Sequence, residues 1–462
     1  MDGATTYGII SLIPVAVIII AAIITKKTFE SMFLGVITAF VILGGGSLSK
    51  TFNLFLDSIY SVIMNENTVW VLLICGLFGS LTFLMEKSGG VLGFSTLTEK
   101  TIKSRKAALL GTWILGIVVF VDDYLNALVV GSAMRKITDK FKISREMLAY
   151  IINSTGVTVC AIVPFSTWAA FMSGLMENSD MTKGLSPIAA YMRTIPYMAY
   201  AWLAVILVPL FSLNIIPLFG PMKEAEERTL ETGEVFSEIS KEAFQDTADD
   251  EDIPVDPQKH RALNFLLPII LLAYLTIKTD DILLGLFAAL GLCFLLYLPQ
   301  RLMKFGEYFD SIIGGLTDMF PVLVLIILAY TIQEANSALG LTEYVISVTM
   351  DILNPALLPV IIFIVISFLA FTTGTFWGLA AISFPIVAPL AAAMNVDPFL
   401  CSGAVISAVA FGGHICLYSD TVILASASTR VTNVDYFKTS APLVMVPFVL
   451  AVIIFLVLGF VM

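Results

Sequence analysis

The sequence predicts an all-α polytopic membrane protein made of two inverted-topology repeats, and three observations carry that expectation. Of 462 residues, 58% are hydrophobic and 13% charged, against about 25% charged in a soluble domain. Apolar blocks close to the ~20 residues that cross a hydrocarbon core recur along the whole chain, and mean hydropathy is +0.94, which excludes a soluble domain on a single anchor. The two halves also show the same order of elements with opposite flanking charge. The alternating segments of a transmembrane β-barrel are absent.

Taken in order, the apolar windows predict ten full spans, at 7–25, 29–45, 68–85, 147–176, 192–219, 262–277, 282–298, 319–332, 399–428 and 441–461. The first lacks the basic start and small-residue cleavage site of a signal peptide, so it reads as a retained span. Two further apolar stretches, 107–134 and 358–394, are interrupted by polar residues near their middles. Their arms are short for a core of ~30 Å, so both are expected to be re-entrant hairpins.

Flanking charge orients them. The first hairpin lies between Lys100, Lys103, Arg105 and Lys106 on one side and Arg135, Lys136, Lys140, Lys142 and Arg145 on the other, whereas no Lys or Arg occurs between Lys304 and Arg430. By the positive-inside rule, the first hairpin enters from the cytoplasm and the second from outside. Each half then reads as five spans plus a hairpin, with an amphipathic helix before the third span (Asp57-Ser58-Ile59 and Asp310-Ser311-Ile312). The expected division is 1–220 for the first repeat, 221–260 for a cytoplasmic linker and 261–462 for the second repeat. Such repeats place a solute site near the membrane midplane.

The formal charge of −11 has a location: thirteen acids against three bases between Met222 and Pro257 supply ten of the eleven excess negative charges. Few aromatics and dense acids predict a mobile loop there. With the remainder near neutral, nothing points to nucleic acid. The five cysteines stand singly in apolar segments, without the pairing of a metal site or a disulfide framework.

Chemistry is expected where polar residues interrupt spans. The first hairpin turns at Phe120-Val121-Asp122-Asp123-Tyr124-Leu125-Asn126. A carboxylate inside the membrane costs about 2.5 kcal/mol or more, so a pair of them calls for a cation or proton. Asp122 reads as an ion-binding acid, and Asp123 either caps the returning helix or joins Asp122 in binding the ion or substrate. The first broken span carries Asn153-Ser154-Thr155-Gly156 and then Pro164-Phe165-Ser166-Thr167, where proline opens the hydrogen-bond ladder beside hydroxyl and amide side chains. The alternative there is back-bonding hydroxyls in a kinked helix. In the second half the hairpin turns at Thr372-Thr373-Gly374-Thr375 and the broken span at His414 to Thr421, with Asp420 the intramembrane acid. His414, about two helical turns earlier, is either a proton relay or packing. Glu86 and Glu334 end the third spans, and Glu334, without a basic neighbour, is the one placed to face the site.

Two segments, 120–139 (FVDDYLNALVVGSAMRKITD) and 149–169 with its Ile152-Asn153-Ser154-Thr155-Gly156 and Pro164-Phe165-Ser166-Thr167-Trp168, are similar to the NhaC family of bacterial Na⁺/H⁺ antiporters in the ion-transporter superfamily. The resemblance implies an elevator-type transporter in the bacterial inner membrane, with hairpins and broken helices moving against a dimeric scaffold. It also implies a cation site from Asp122, Asn153, Ser154 and Thr155, with Thr373, Gly374, Thr375, Ser419 and Asp420 from the second repeat, and Na⁺ held at Asp122, Asn153, Ser154 and Asp420. Relatives exchange Na⁺ for H⁺ or couple these ions to organic acids such as malate and lactate. The acids at 122 and 123 depart from the dicarboxylate branch and favour a cation.

The expected function is Na⁺/H⁺ exchange by competition at intramembrane carboxylates, needing no cofactor beyond the two ions. Coupled transport of a small organic solute is the alternative. A channel is disfavoured by hairpins from opposite faces, and an enzyme by the lack of hydrolase or nucleotide motifs.

Overall fold

A computed structural model describes residues 7–25, 28–90, 93, 102–244, 261–279, 281–341, 344, 354–373, 376–417 and 419–462. Among these residues the regular elements are all helical, with no strand. Helix α1 (Ile13–Thr25) packs on α2 (Thr28–Leu43). Helix α3 (Leu48–Met64) follows, burying Thr51, Ser58 and Val62, whose spacing of seven and four residues makes one stripe. Asn65 separates it from α4 (Glu66–Lys87).

The first expected hairpin is α5 (Arg105–Val118) and α6 (Asp123–Lys140), joined at 119–122. The first broken span is α7 (Arg145–Ile162) and α8 (Thr167–Asn178), bent by 43°. Pro164, lacking an N–H, stops α7, and the Ser166 hydroxyl accepts from Ala169 N to restart the chain as α8. Helices α9 (Pro187–Thr194) and α10 (Ala199–Ser212) follow, then α11 (Gly220–Thr232) and α12 (Glu238–Phe244). The second half contains α13 (Leu263–Thr279), α14 (Ile282–Tyr297), α15 (Phe305–Ala338), a second helical hairpin of α16 (Leu358–Thr373) and α17 (Trp377–Ala393), a second broken pair of α18 (Pro398–Ile415) and α19 (Asp420–Thr429), and α20 (Asn433–Val461). Hairpin arms of 14 to 18 residues are roughly 21–27 Å long, less than a bilayer core.

Three helical stretches among the described residues are individually long and apolar enough to cross a membrane: Thr68–Lys87, Pro398–Thr429 and Asn433–Val461. Three bent pairs also qualify, among them α7 with α8. The remaining apolar helices are shorter. Exposed Ile453, Val457 and Phe460 on α20 and Phe368 on α16 suit a lipid solvent rather than water.

Three expectations change. The window at 319–332 is part of a 34-residue helix that starts at Phe305 and bends by 41° near Pro321, so the amphipathic stretch and the span are continuous in this half. The window at 192–219 bends by 58° after the Ile195–Tyr197 turn, where Pro196 cannot donate, and its helix ends at Ser212. The acidic segment, expected as a mobile loop, carries α11 and α12 as far as residue 244, with Met222, Ala225, Glu226 and Thr229 buried. Its rest, 245–260, lies outside the described residues.

That segment is held by charge pairing that composition does not reveal. Glu226 ion-pairs with Arg105 at the start of α5 and accepts from Ser144 N at 2.8 Å, at the start of α7. Arg228 pairs with Glu146 at 2.9 Å, and the Asp435 carboxylate on α20 accepts from Ser237 and from Ser240, the latter at 2.6 Å. The segment therefore ties together the starts of α5, α7 and α20 on one face.

The two halves cross at α4 and α15. A Cβ on Gly315 would stand 2.2 Å from the Gly79 carbonyl oxygen, and one on Gly79 would stand 2.4 Å from that of Gly315. Glycine at both positions lets the backbones touch, and Ser80 donates across the contact to Ile312 O at 2.9 Å.

Candidate functional site

The turn of the first hairpin is built by side chains that cap helix ends. Asp122 is the N-cap of α6: its Oδ1 accepts from Tyr124 N and Leu125 N, both at 3.0 Å. Its Oδ2 accepts from Thr167 Oγ1 at 3.1 Å, at the start of α8. Asn126 donates to the freed carbonyls of Gly116 (2.6 Å) and Val119 (2.9 Å), closing the end of α5. Thr167 N donates to Val121 O at 3.1 Å, joining the hairpin turn to the break between α7 and α8.

The cap therefore falls on Asp122 rather than on Asp123, the residue expected to fit it. The cap falls one residue earlier because extended geometry at Asp122 (φ −150°, ψ 138°) aims its carboxylate at the first free N–H groups. Asp123 is 1% exposed, and neither of its carboxylate oxygens has a hydrogen-bond partner. Around it Asn126 Oδ1 and the indole N–H groups of Trp168 and Trp377 are likewise buried without partners. Gly156 of α7 lies beneath, where a Cβ would reach Asn126 Oδ1 and Asp123 O at 3.6 Å.

The second hairpin meets this turn through aromatic rings. Trp168 stacks on Phe376 (centroids 5.1 Å apart) and lies 5.7 Å from Trp377, which also meets Phe171 edge-on at 4.8 Å. Tyr124 OH donates to Asp420 Oδ2 at 3.0 Å, a side-chain bridge from the first hairpin turn to α19. Asp420 is the first residue of α19 and lies at the protein surface. Thr375 and Gly374 lie outside the described residues, as does the side chain of Thr373.

Asn153 and Ser154 belong to a different constellation. Asn153 donates to His414 O at 3.0 Å and to Tyr436 OH at 2.8 Å, and Ser154 Oγ meets His414 Nε2 at 2.8 Å. His414 Nδ1 meets Tyr200 OH at 2.7 Å. Both ring nitrogens are thus engaged by hydroxyls, and the imidazole joins α7 and α10 to α18 rather than reaching Asp420. Thr155 bonds back to Ile151 O at 2.9 Å and packs against Gly116, as in the back-bonding alternative. The carbonyl freed at Gly413 accepts from Ser419 (3.0 Å) and Thr421 (2.6 Å). Glu334 is also elsewhere: it accepts from Ser58 of α3 at 2.5 Å.

Tyr124, Asn126, Thr167 and Trp168 were missed as site residues although all four stand inside the motifs singled out. Asn126 and Thr167 carry the signal of a polar side chain three or four residues from an intramembrane break. Tyr200 and Tyr436 carry none, since a tyrosine in a span reads as packing.

The Na⁺/H⁺ antiporter family matches residues 168–460, which is more than half of the chain. The chain belongs to the Na⁺/H⁺ antiporter family. It is therefore a multi-pass transmembrane protein of an ion-transporting antiporter family. It is 28% identical to an uncharacterized protein of Haemophilus influenzae over 94% of this chain and 87% of that one. It is 23% identical to the malate-2H⁺/Na⁺-lactate antiporter of Bacillus subtilis, over 39% of this chain and 42% of that one. Two solved structures share the fold, both with a TM-score of 0.59. They are Neisseria gonorrhoeae MtrF, described among antimetabolite efflux pumps (13% identity; 90% of this chain, 85% of that one), and the Alcanivorax borkumensis YdaH transporter (11% identity; 94% and 98%).

Proposed function

We propose that this family member is a secondary transporter exchanging Na⁺ for H⁺ across the bacterial inner membrane, with Asp123 the carboxylate that binds the two ions in turn. The observation that carries the reading is the state of Asp123: buried beside a second carboxylate, with neither oxygen in a well-formed hydrogen bond. A bare carboxylate in a low-dielectric interior costs several kcal/mol. A bound cation removes that cost. A proton and Na⁺ both can, but not at once, and competition at one site suffices for antiport. Asp122, held by two N–H groups and a hydroxyl, supplies a fixed negative charge beside it, and the unpartnered Asn126 Oδ1 offers a neutral oxygen ligand. Asp420, reached through Tyr124, gives the second repeat a share in the site.

The wider arrangement is part of the same proposal. Two helical hairpins and two broken helix pairs in the same order, with glycines meeting at the α4–α15 crossing, support inverted repeats at 1–220 and 261–462. In this reading α4 and α15 belong to a scaffold shared by two copies, and the hairpins move against it in the bilayer. Arg105, Arg145 and Arg228 at the docked acidic segment support a cytoplasmic face for 221–260. No cofactor beyond Na⁺ and H⁺ is invoked.

The test uses the purified chain in liposomes, with an internal pH dye and an imposed Na⁺ gradient. Asp123→Asn should abolish Na⁺-dependent proton movement while the protein still inserts and runs as a single species in detergent. Exchange at the wild-type rate by Asp123→Asn overturns the assignment.

A second reading, coupled transport of a small organic acid, is favoured by the indole N–H groups of Trp168 and Trp377, two buried donors that would suit a carboxylate beside the cation. The lactate antiporter among the relatives points the same way. Proton movement that requires lactate or malate, with Na⁺ alone silent, would select it.

A further inference from the structure

Helices α8 and α17 both lead away from the carboxylate site, α8 beginning at Thr167 on Asp122 and α17 at Trp377 beside Trp168. At their far ends, about 18 Å along the twelve residues of α8, lies a cavity of about 340 Å³ between them and α15. Its lining comes from the last turns of all three: Asn178 of α8, Asn336 and Ser337 of α15, Pro389 and Ala392 of α17. The negative ends of three helix dipoles therefore converge on one space. Pro389 has no N–H, so the carbonyl of Pro385 in the same wall lacks its helical donor.

Two side chains add to this. The exposed carboxylate of Asp180 lines the cavity and also an adjoining one of about 410 Å³, and it makes no ion pair among the described residues. The neighbouring Lys183 is engaged with Asp397 at 2.9 Å. Asn336 is 7% exposed, and its Oδ1 has no partner. Converging C-termini, an unpaired carboxylate and a buried unpartnered amide oxygen make a space that attracts positive charge and suits oxygen coordination.

We propose that this cavity is a cation-collecting vestibule, where Asp180 and Asn336 hold a hydrated monovalent cation; its role as the approach to the carboxylate site rests on the Na⁺/H⁺ reading. The test separates the two. All five native cysteines are buried, so Ser337→Cys, or Ala392→Cys if that variant fails to fold, serves as a reporter at an exposed position of the cavity wall in the full-length protein. The ratio of its rates with a trimethylammonium thiosulfonate and with the sulfonate analogue of similar size should exceed the same ratio for a small thiol in solution by on the order of tenfold. Adding Asp180→Asn should reduce that ratio several-fold, and Na⁺ should slow the cationic reagent relative to choline at equal ionic strength. A ratio no larger than that of the small thiol, or one unchanged by Asp180→Asn, overturns the vestibule. In the transport assay, Asp180→Asn should raise the half-saturating Na⁺ concentration several-fold at low ionic strength, with the effect shrinking in high salt. A wild type without Na⁺-driven flux sinks the exchange reading, and the labelling ratio still decides the vestibule.

Discussion

Gly315→Ala tests how the two halves are joined. The added methyl would lie 2.2 Å from Gly79 O, 2.5 Å from Gly79 C and 2.5 Å from Ser80 Cα. These are backbone atoms of α4, so no side chain can rotate away. Ordinary contacts of this kind need about 3.2–3.5 Å, and the helices would have to part by roughly 1 Å, loosening the Ser80 to Ile312 bond and the packing along both helices. Overpacking of this sort costs about 1–3 kcal/mol. Gly79→Ala should cost a similar amount, since its Cβ would meet Gly315 O at 2.4 Å. Once one methyl has opened the crossing, the second should add little, so the double variant should be well short of additive. Thermal unfolding in detergent, followed by the loss of the monodisperse species, reads all three. Gly291→Ala is the control: nothing lies within 4 Å of its added methyl, and removing a helical glycine should leave stability unchanged or raise it by up to about 1 kcal/mol. If Gly315→Ala were as stable as wild type, or the two substitutions simply additive, the close crossing would be wrong.

Three further outcomes are expected. Asn153→Leu removes the donor that joins α7 to His414 O and Tyr436 OH and should lower stability by about 1–3 kcal/mol, measured by the same unfolding assay. Tyr124→Phe deletes the hydroxyl on Asp420 and should weaken apparent Na⁺ affinity about tenfold, the equivalent of one hydrogen bond to a charged group at about 1.5 kcal/mol, with unfolding temperature unchanged. Asp435→Ala removes the acceptor shared by Ser237 and Ser240 and should speed hydrogen exchange and proteolysis across 237–244, leaving α4 and α15 protected.

Hydropathy and spacing determined the helical membrane class, the two hairpins and the two broken pairs, because each is a local property: an apolar run, or a polar or proline interruption within one. The Asp122-Asp123 turn was equally legible, since charge inside a span needs a partner whatever the fold. Which of the two acids is free depended on one backbone angle at Asp122, which sets where the capping carboxylate points and which no composition encodes. The partners of His414 were also beyond reach, because its two nitrogens are met by Ser154 and Tyr200, residues brought to it only when α7 and α10 pack on α18. The acidic segment shows the same limit in reverse. Its charge count read as disorder, yet Glu226 and Arg228 fold against Arg105, Ser144 and Glu146, since charges separated in sequence cancel only after the starts of α5 and α7 are brought to one face.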